Sequence, residues 1–282
     1  MILLIDSTAD IRNEELTKWN LRMVSLSVSI DGQMYKDSVD LMPDEFYQKI
    51  AVSKTFPKTS QPSPNEFLEI FEEAKENNEE LIYLGVSSGL SGTVNSARLA
   101  LDMVEYDKIY IVDTLEAIQA LRLLALEAVR MRDSGKSAKE IVEKIEYLKK
   151  HVHIFSMINN LDYLSKGGRL SKAVAFVGNL VNLKPLIDLD ASGKIRMYGH
   201  TLGKQRAYKA ILKDIDNTPI DYNYPVCFGY TYGKENMEKL YELMNEKYPL
   251  NDVDFSQIGP AIGSHIGPGG FCVMYVSDKE RD

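Results

Sequence analysis

The chain has 282 residues, and its 33 basic and 41 acidic residues give a formal net charge of −8 at pH 7. This charge repels phosphate backbones and anionic membrane surfaces over long range, so nucleic acid is not an expected partner. With 44% apolar residues the chain can bury a large core, and its length favours two domains of ordinary size.

The sequence carries no strong targeting or redox signal. Residues 1–6 lack a basic stretch, and their apolar run is too short for a signal peptide. No run approaches the roughly twenty apolar residues of a membrane-spanning helix. Cys227 and Cys272 are isolated within apolar, strand-like runs, which argues against a disulfide framework and a thiolate metal site. The sequence therefore predicts a cytoplasmic protein with two buried thiols, no metal and no cofactor.

The first half of the chain alternates short apolar runs with amphipathic stretches, which is typical of strands followed by helices. The predicted strands cover residues 2–5, 24–30, 81–86 and 109–112, and the predicted helices residues 13–20, 43–50, 93–104 and 115–132. This alternation implies a parallel sheet covered on both faces. Residues 31–53 are expected to project as a small excursion. The prolines within residues 53–63 are expected to exclude regular structure there.

Two further helix starts are specified by local sequence. Ser63 can cap a helix, Pro64 suits its first position, and Glu66 completes a capping box. Ser137 and Glu140 have the same spacing, and they predict a second helix that begins beside them.

The second half of the chain mixes hairpin and crossover connections. We predict strands at residues 153–158, 186–189, 195–198, 226–231, 253–258 and 271–276, and helices at residues 161–166, 171–183, 203–216 and 234–248. The predicted fold class is therefore α/β. An N-terminal three-layer α/β/α domain with a mainly parallel sheet covers residues 1–152, and a C-terminal α/β domain with a mixed sheet covers residues 153–282.

Two hydroxyl-rich turns are candidates for binding a small acid. Thr59 and Ser60 lie in the string T-S-Q-P-S, and Ser91 and Gly92 lie in S-G-L-S-G-T. Each turn precedes a predicted helix, where unpaired N–H groups and the positive end of the helix dipole favour an anion. Each also has a plain structural explanation, as an ordered proline-rich loop or as a helix cap, and the sequence leaves both explanations open.

A second interpretation of Ser91 is a catalytic nucleophile. The string G-L-S-G-T follows a predicted strand and opens a helix, as the nucleophile elbow of a hydrolase does. The G-x-S-x-G pattern, however, requires glycine at the position of Thr93, and no histidine is obviously paired with an acid in the usual order. A serine hydrolase that uses Ser91 is therefore kept as the alternative function.

A glycine-rich stretch over residues 259–270 carries His265 and Gly267 between two predicted strands. So many glycines let a backbone approach a ligand closely, and His265 either donates a hydrogen bond to an anion or only supports the loop. Arg169 follows two glycines, just before the apolar stretch 171–183. Core packing is the default interpretation of that stretch, and a lid or a membrane-facing role is the alternative.

Six strings occur in the order and with the spacing of the DegV family, and the sequence resembles that family over essentially its whole length. They are Asp6-Ser7-Thr8-Ala9-Asp10, T-S-Q-P-S at residues 59–63, S-G-L-S-G-T at residues 88–93, Lys166-Gly167-Gly168-Arg169, Lys184-Pro185 and the glycine-rich stretch at residues 259–269. Asp113-Thr114 departs from the Asp-Ser associated with the family, although it keeps the hydroxyl.

The resemblance implies a two-domain α/β protein, not itself an enzyme, that binds a long-chain fatty acid between its domains. In Gram-positive bacteria such proteins present the acid to a separate fatty acid kinase, and the acyl phosphate feeds phospholipid synthesis. A regulatory protein that senses another lipid is a third interpretation.

The resemblance also assigns residues. Thr59 and Ser91 are implied to hold the carboxylate, and His265 to lie near the head group. The full implied ligand-binding set is Thr59, Ser60, Ser91, Gly92, His265 and Gly267. Arg169 and Arg206 are expected to meet the kinase or, transiently, a membrane lipid.

Overall fold

The computed structural model describes residues 1–170 and 182–281, and their strands form three sheets. The strands are β1 (Ile2–Asp6), β2 (Leu21–Val24), β3 (Ser27–Ile30), β4 (Gln33–Lys36), β5 (Lys58–Ser60), β6 (Leu81–Gly85), β7 (Ile109–Asp113), β8 (Val152–Met157), β9 (Leu183–Leu189), β10 (Ile195–Leu202), β11 (Val226–Tyr230), β12 (Val253–Gln257) and β13 (Phe271–Val276). Residues 171–181 of the predicted apolar helix 171–183 lie outside the described residues, and Leu183 begins β9.

The described α-helices pack around these sheets. They are α1 (Asn13–Lys18), α2 (Pro43–Val52), α3 (Pro64–Glu76), α4 (Thr93–Val104), α5 (Ile118–Asp133), α6 (Ala138–Leu148), α7 (Asp162–Lys166), α8 (Lys204–Asn217), α9 (Glu235–Asn245) and α10 (Pro260–Ile266). Ser63 with Glu66 and Ser137 with Glu140 form the two predicted capping boxes. None of the helices within this described part of the chain has the length and apolar character needed to cross a bilayer.

The first sheet is parallel, with strand order β2-β1-β6-β7, as predicted. Its central strand β6 is buried at every position. A strand with both faces covered shows this continuous apolar run rather than an alternating pattern. The carboxyl ends of β1 and β6 lie side by side, so the polar turns after them meet at one edge.

A small antiparallel sheet, β4-β3-β5, corrects two predictions. The predicted strand 24–30 is two strands, because the chain leaves the parallel sheet at Val24 and joins the small sheet at Ser27. Residues 53–63 are not free of regular structure either. Pro57 and Pro62 flank β5, so they limit its length but do not prevent three residues between them from pairing with β3.

The second sheet is mixed, with strand order β10-β9-β8-β13-β11-β12. β11 pairs with β12 in parallel, and β8 pairs with β9 and β13 antiparallel. The α/β class with one parallel and one mixed sheet is thereby confirmed. β8 begins at Val152, and the division into domains at residue 152 stays a prediction.

Helix α5 lies between the two large sheets. It contacts β1 and β6 on one side and β8, β11 and β13 on the other. Its residues Leu121, Leu124 and Ala128 are fully buried. The two sheets therefore share one apolar core, and the amino end of α5 opens onto the candidate site.

Candidate functional site

A cavity lies between the parallel and mixed sheets at the amino end of α5. It encloses about 740 Å³ of space not filled by protein atoms, including its opening to solvent. Most lining residues are aliphatic: Leu26, Val86, Leu90, Ala117, Ile118, Ile154, Ile187, Leu189, Ile195, Ala261, Ile262 and Ile266. The polar lining residues are Thr8, Thr59, Ser91, Ser156, Arg169, Asp188 and His265.

Thr59 and His265 form the first polar pair of the cavity. The Oγ1 atom of Thr59 lies 2.8 Å from Nε2 of His265. The other ring nitrogen, Nδ1, is buried without a hydrogen-bond partner among the described residues. An unpartnered buried N–H is rarer in proteins than an unpartnered acceptor, so the ring proton belongs on Nε2. Nε2–H then donates to Thr59, and the hydroxyl proton of Thr59 is free to donate into the cavity.

Burial keeps His265 neutral. The residue is 8% exposed. Loss of hydration, followed by the positive charge of Arg169, lowers the pKa of His265 from 6.5 to about 4. At neutral pH, His265 therefore supplies a dipole and Arg169 supplies the positive charge near it.

The pKa of His265 predicts a loss of stability in mild acid. Between pH 6.5 and 4 the unfolded chain binds a proton at this histidine that the folded chain does not, so the free energy of unfolding falls as the pH falls through that window. At pH 5 the loss relative to pH 7 is about 2 kcal/mol. Urea unfolding of the wild type and His265→Gln at both pH values measures it.

Burial raises the pKa of the Asp37 carboxyl to about 7, so this group increases the free energy of unfolding as the pH falls. Its contribution is the same in the wild type and in His265→Gln, and it cancels when the two are compared. His200→Gln, at an exposed histidine of β10, is the matched control and is expected to follow the wild type. Equal acid sensitivity of the wild type and His265→Gln contradicts the assignment.

Ser91 lies at the start of α4, beside the cavity. Its Oγ atom is 2.8 Å from Oγ1 of the buried Thr93, and Gly92 is the residue before the first helical position. A hydroxyl that accepts from Thr93 keeps its own proton for a ligand. The partner of Ser91 is Thr93 and that of His265 is Thr59, so within the described residues Ser91 is not paired with a histidine as the nucleophile of a serine hydrolase is.

Gln61 joins the two hydroxyl-rich turns. Its side-chain amide donates to Oγ of Ser96 at 2.8 Å. It also lies against Gly92, where an added Cβ would be 2.0 Å from the Gln61 Oε1 atom. The T-S-Q-P-S strand end is thereby fixed against the first turn of α4. This contact holds the segments that carry Thr59 and Ser91 at a set spacing.

Arg169 lies in the cavity wall. Its Nε donates to the Leu90 carbonyl at 3.1 Å and its Nη1 donates to the Gly167 carbonyl at 2.6 Å. Burial lowers the pKa of this guanidinium. Two of its nitrogens are thus bound to backbone oxygens, and they fix its charge beside Ser91 and His265.

The comparisons with known proteins agree with this architecture. A family model described as an uncharacterised protein of the DegV family matches residues 2–278. The chain belongs to the DegV family. A DegV domain-containing protein from Lactococcus lactis, YteA, is 34% identical to this member over 287 residues, covering 99% of each chain.

Solved structures of other DegV proteins have the same fold. A DegV protein from Thermus thermophilus, studied for fatty acid binding, is 30% identical with a TM-score of 0.88, over 98% of this chain and 99% of that one. A stearic acid-binding protein from Eubacterium ventriosum is 29% identical with a TM-score of 0.85, over 98% of each chain. The sequence resemblance to the DegV family is confirmed.

Not every predicted residue of this DegV protein reaches the cavity. Ser60 is exposed, because neighbouring residues of a strand point to opposite faces and Thr59 points inward. Gly267 ends α10 under the ring of Tyr163, where an added Cβ would be 2.4 Å from that ring. Arg206 is exposed in the first turn of α8 and does not line the cavity. Arg169, predicted to meet a partner or a membrane lipid, lines the cavity, and its partner contact stays a prediction.

His265 does not lie in a loop, which is a further correction for this DegV protein. Residues 260–266 form α10, with Pro260 in the first turn. Asp10 accepts a hydrogen bond from the Gly259 N–H at 2.9 Å, just before the helix. Gly263 allows close packing on Tyr47, whose hydroxyl would be 2.5 Å from an added Cβ. Contacts from distant segments thus make a helix of a glycine-rich sequence.

The sequence prediction missed Thr8 and Gln61 as site residues, although both lie in quoted strings. Thr8 lines the cavity and donates to Asp6 Oδ1 at 2.6 Å. Two features of the sequence could have indicated them. Thr8 lies in a polar turn directly after a predicted strand, and Gln61 lies two residues after Thr59. Within the described part of the chain, no group of three or more His, Cys, Asp or Glu side chains is arranged to hold a metal ion.

Proposed function

We propose that this protein binds a long-chain fatty acid in the cavity and presents its carboxylate to a separate fatty acid kinase, for acyl-phosphate formation and phospholipid synthesis. The observation that carries the proposal is an aliphatic cavity in which Thr59, His265, Arg169 and Ser91 are grouped through direct or adjacent contacts. Fatty acid binding by the Thermus thermophilus and Eubacterium ventriosum relatives supports the ligand class.

The aliphatic walls account for affinity. A chain of about fifteen methylenes, each contributing about 0.8 kcal/mol on burial, gives an upper bound near 12 kcal/mol. Association costs of several kcal/mol reduce this figure. The polar group therefore serves mainly to orient the acid, with its carboxylate beside Thr59 and Ser91.

The polar end suits a carboxylate that another protein must phosphorylate. Hydroxyl donors leave an oxygen more nucleophilic than a bidentate guanidinium would. The Nε atom of Arg169 is already bound to the Leu90 carbonyl and Nη1 to the Gly167 carbonyl, so the edge formed by Nε and Nη2 is not free for a two-pronged pair with the ligand. Arg169 supplies charge from the cavity wall, and the exposed Arg206 is proposed to meet the kinase or a membrane lipid.

Solvent extraction of the purified protein tests the ligand. Protein purified under mild conditions is expected to release about one long-chain fatty acid per chain, identified by mass spectrometry. Added fatty acid is expected to raise the melting temperature, because a ligand at 100 times its dissociation constant stabilises the fold by about 2.7 kcal/mol. No extracted acid together with no thermal shift overturns the proposal.

Further experiments distinguish presentation to a kinase from the two alternative functions. Trapping of acyl phosphate with hydroxylamine, in the presence of a fatty acid kinase and ATP, tests presentation. Labelling by a fluorophosphonate that disappears in Ser91→Ala would revive the serine hydrolase. Extraction of a lipid other than a fatty acid would favour a lipid-sensing regulatory protein.

A further inference from the structure

The segment that leads from β7 into the first residue of α5 contains two residues in an unusual backbone conformation. Leu115 has φ 57° and Ile118 has φ 52°, both in the left-handed region. Glycine, asparagine and aspartate adopt this region readily, whereas a β-branched residue such as isoleucine rarely does. Such strain persists only where surrounding contacts hold it.

The strained segment forms part of the cavity wall. Ala117 and Ile118 both line the cavity. On its other side the segment is joined to the turn that leads to Ser91, since the Ser87 N–H donates to the Glu116 carbonyl at 2.8 Å. Relaxation of Leu115 and Ile118 would therefore change the surface that a ligand touches.

Arg281 holds this segment from outside the cavity. Its guanidinium is 5% exposed and forms an ion pair with the fully buried carboxylate of Glu116. It also donates to the Leu115 carbonyl at 3.3 Å. The backbone N–H of Arg281 donates to the Lys150 carbonyl at 2.8 Å, so the arginine is itself anchored.

Stability alone is a weak explanation for this pair. Loss of hydration raises the pKa of Glu116 to about 8 despite the opposing charge of Arg281, and buried ion pairs in general contribute little net stability compared with apolar residues. They do fix geometry, and this pair adds a bond to the carbonyl of one strained residue. Neither Arg281 nor Glu116 lines the cavity.

We infer that Arg281 is a positioning residue for ligand binding, which keeps Leu115 and Ile118 in the left-handed conformation and so sets the shape of the wall beside the acyl chain. The inference rests on the proposed function for the identity of the ligand. The backbone claim does not depend on the ligand.

Two measurements on the full chain test the inference. In Arg281→Met, amide hydrogen exchange over residues 114–118 is expected to rise at least tenfold, and the affinity for cis-parinaric acid, a fluorescent C18 acid, is expected to fall about tenfold. Arg281→Lys keeps the charge but lacks the planar guanidinium, so both readouts are expected to lie between those of the wild type and Arg281→Met. This variant replaces Arg281→Met in the test if Arg281→Met does not fold. Arg122→Met is the matched control, because Arg122 is 7% exposed and bonds Glu15 away from the cavity. It is expected to lower stability without changing either readout.

A second substitution at Leu115 distinguishes a positioning role of Arg281 from a general contribution to stability. Glycine adopts the left-handed region without a steric cost, and alanine does not. Adding Leu115→Gly to Arg281→Met is expected to restore affinity to within threefold, whereas adding Leu115→Ala is not. Unchanged exchange or unchanged affinity in Arg281→Met, or equal rescue by glycine and alanine, overturns the inference. Failure of the wild type to bind any fatty acid overturns the proposed function alone, and the exchange readout still decides the backbone claim.

Discussion

Replacing Thr59 with valine and Ser91 with alanine together is expected to weaken fatty acid binding by roughly 100-fold or more. The fold is expected to lose about 1–3 kcal/mol of stability, because the buried Nε2–H of His265 loses its acceptor. A hydrogen bond to a charged group contributes about 1.5–3 kcal/mol, and about 1.4 kcal/mol corresponds to a tenfold change in affinity. Valine keeps the shape of threonine, so the change at position 59 removes the hydroxyl and little else. Titration calorimetry with a long-chain fatty acid measures the effect.

The chain offers a control for this double variant within the same two turns. Ser60 and Ser88 are exposed and lie next to the segments that carry Thr59 and Ser91. Ser60→Ala with Ser88→Ala is expected to bind as the wild type does, which also tests the exclusion of Ser60 from the site. Equal binding by the two double variants would remove Thr59 and Ser91 from the site.

Gly167→Ala is expected to lower fatty acid affinity at least tenfold through His265. A Cβ added at Gly167 would lie 2.1 Å from the Nδ1 atom of the His265 ring, which is far closer than van der Waals contact. The φ angle of Gly167 is −75°, so alanine adds no backbone strain, and the closest contact of the added Cβ is with the ring. Overpacking of this kind costs about 1–3 kcal/mol, which thermal unfolding without ligand measures.

Gly168→Ala is the matched control, because one residue away it introduces backbone strain without a steric clash, whereas Gly167→Ala introduces a clash without strain. Gly168 has φ 72° and an added Cβ there meets nothing within 4 Å. Alanine at this position is expected to cost about 1–2 kcal/mol of stability through its left-handed backbone and to leave the affinity unchanged. If Gly167→Ala reduced stability but not affinity, His265 would be a structural histidine only.

The helix starts and the parallel sheet could be predicted because their causes are local or periodic. Ser63 with Glu66, and Ser137 with Glu140, satisfy N–H groups within three residues of each other. A strand such as β6, buried on both faces, needs a continuous apolar run whatever its partners are. Such signals are present in any window of the sequence.

The site itself depends on pairs that are far apart in the chain. Thr59 meets His265 across 206 residues, and Gln61 reaches Ser96 across 35. The motifs around Thr59, Ser91 and His265 could be recognised in the sequence. Which of their side chains face the cavity and which face solvent could not be predicted. Strand β5 decides that Thr59 faces the cavity and Ser60 faces solvent.

The sequence by itself determined the α/β class, the parallel sheet, two capped helix starts and the strings shared with the DegV family. Only the tertiary structure decided that Arg169 belongs to the cavity wall, that His265 lies on a helix, and that Arg281 donates to the Leu115 carbonyl. The physical reason is that capping and burial patterns act over a few residues. Close side-chain contacts, long-range hydrogen bonds and strained backbone conformations form only when segments that are distant in the sequence pack together.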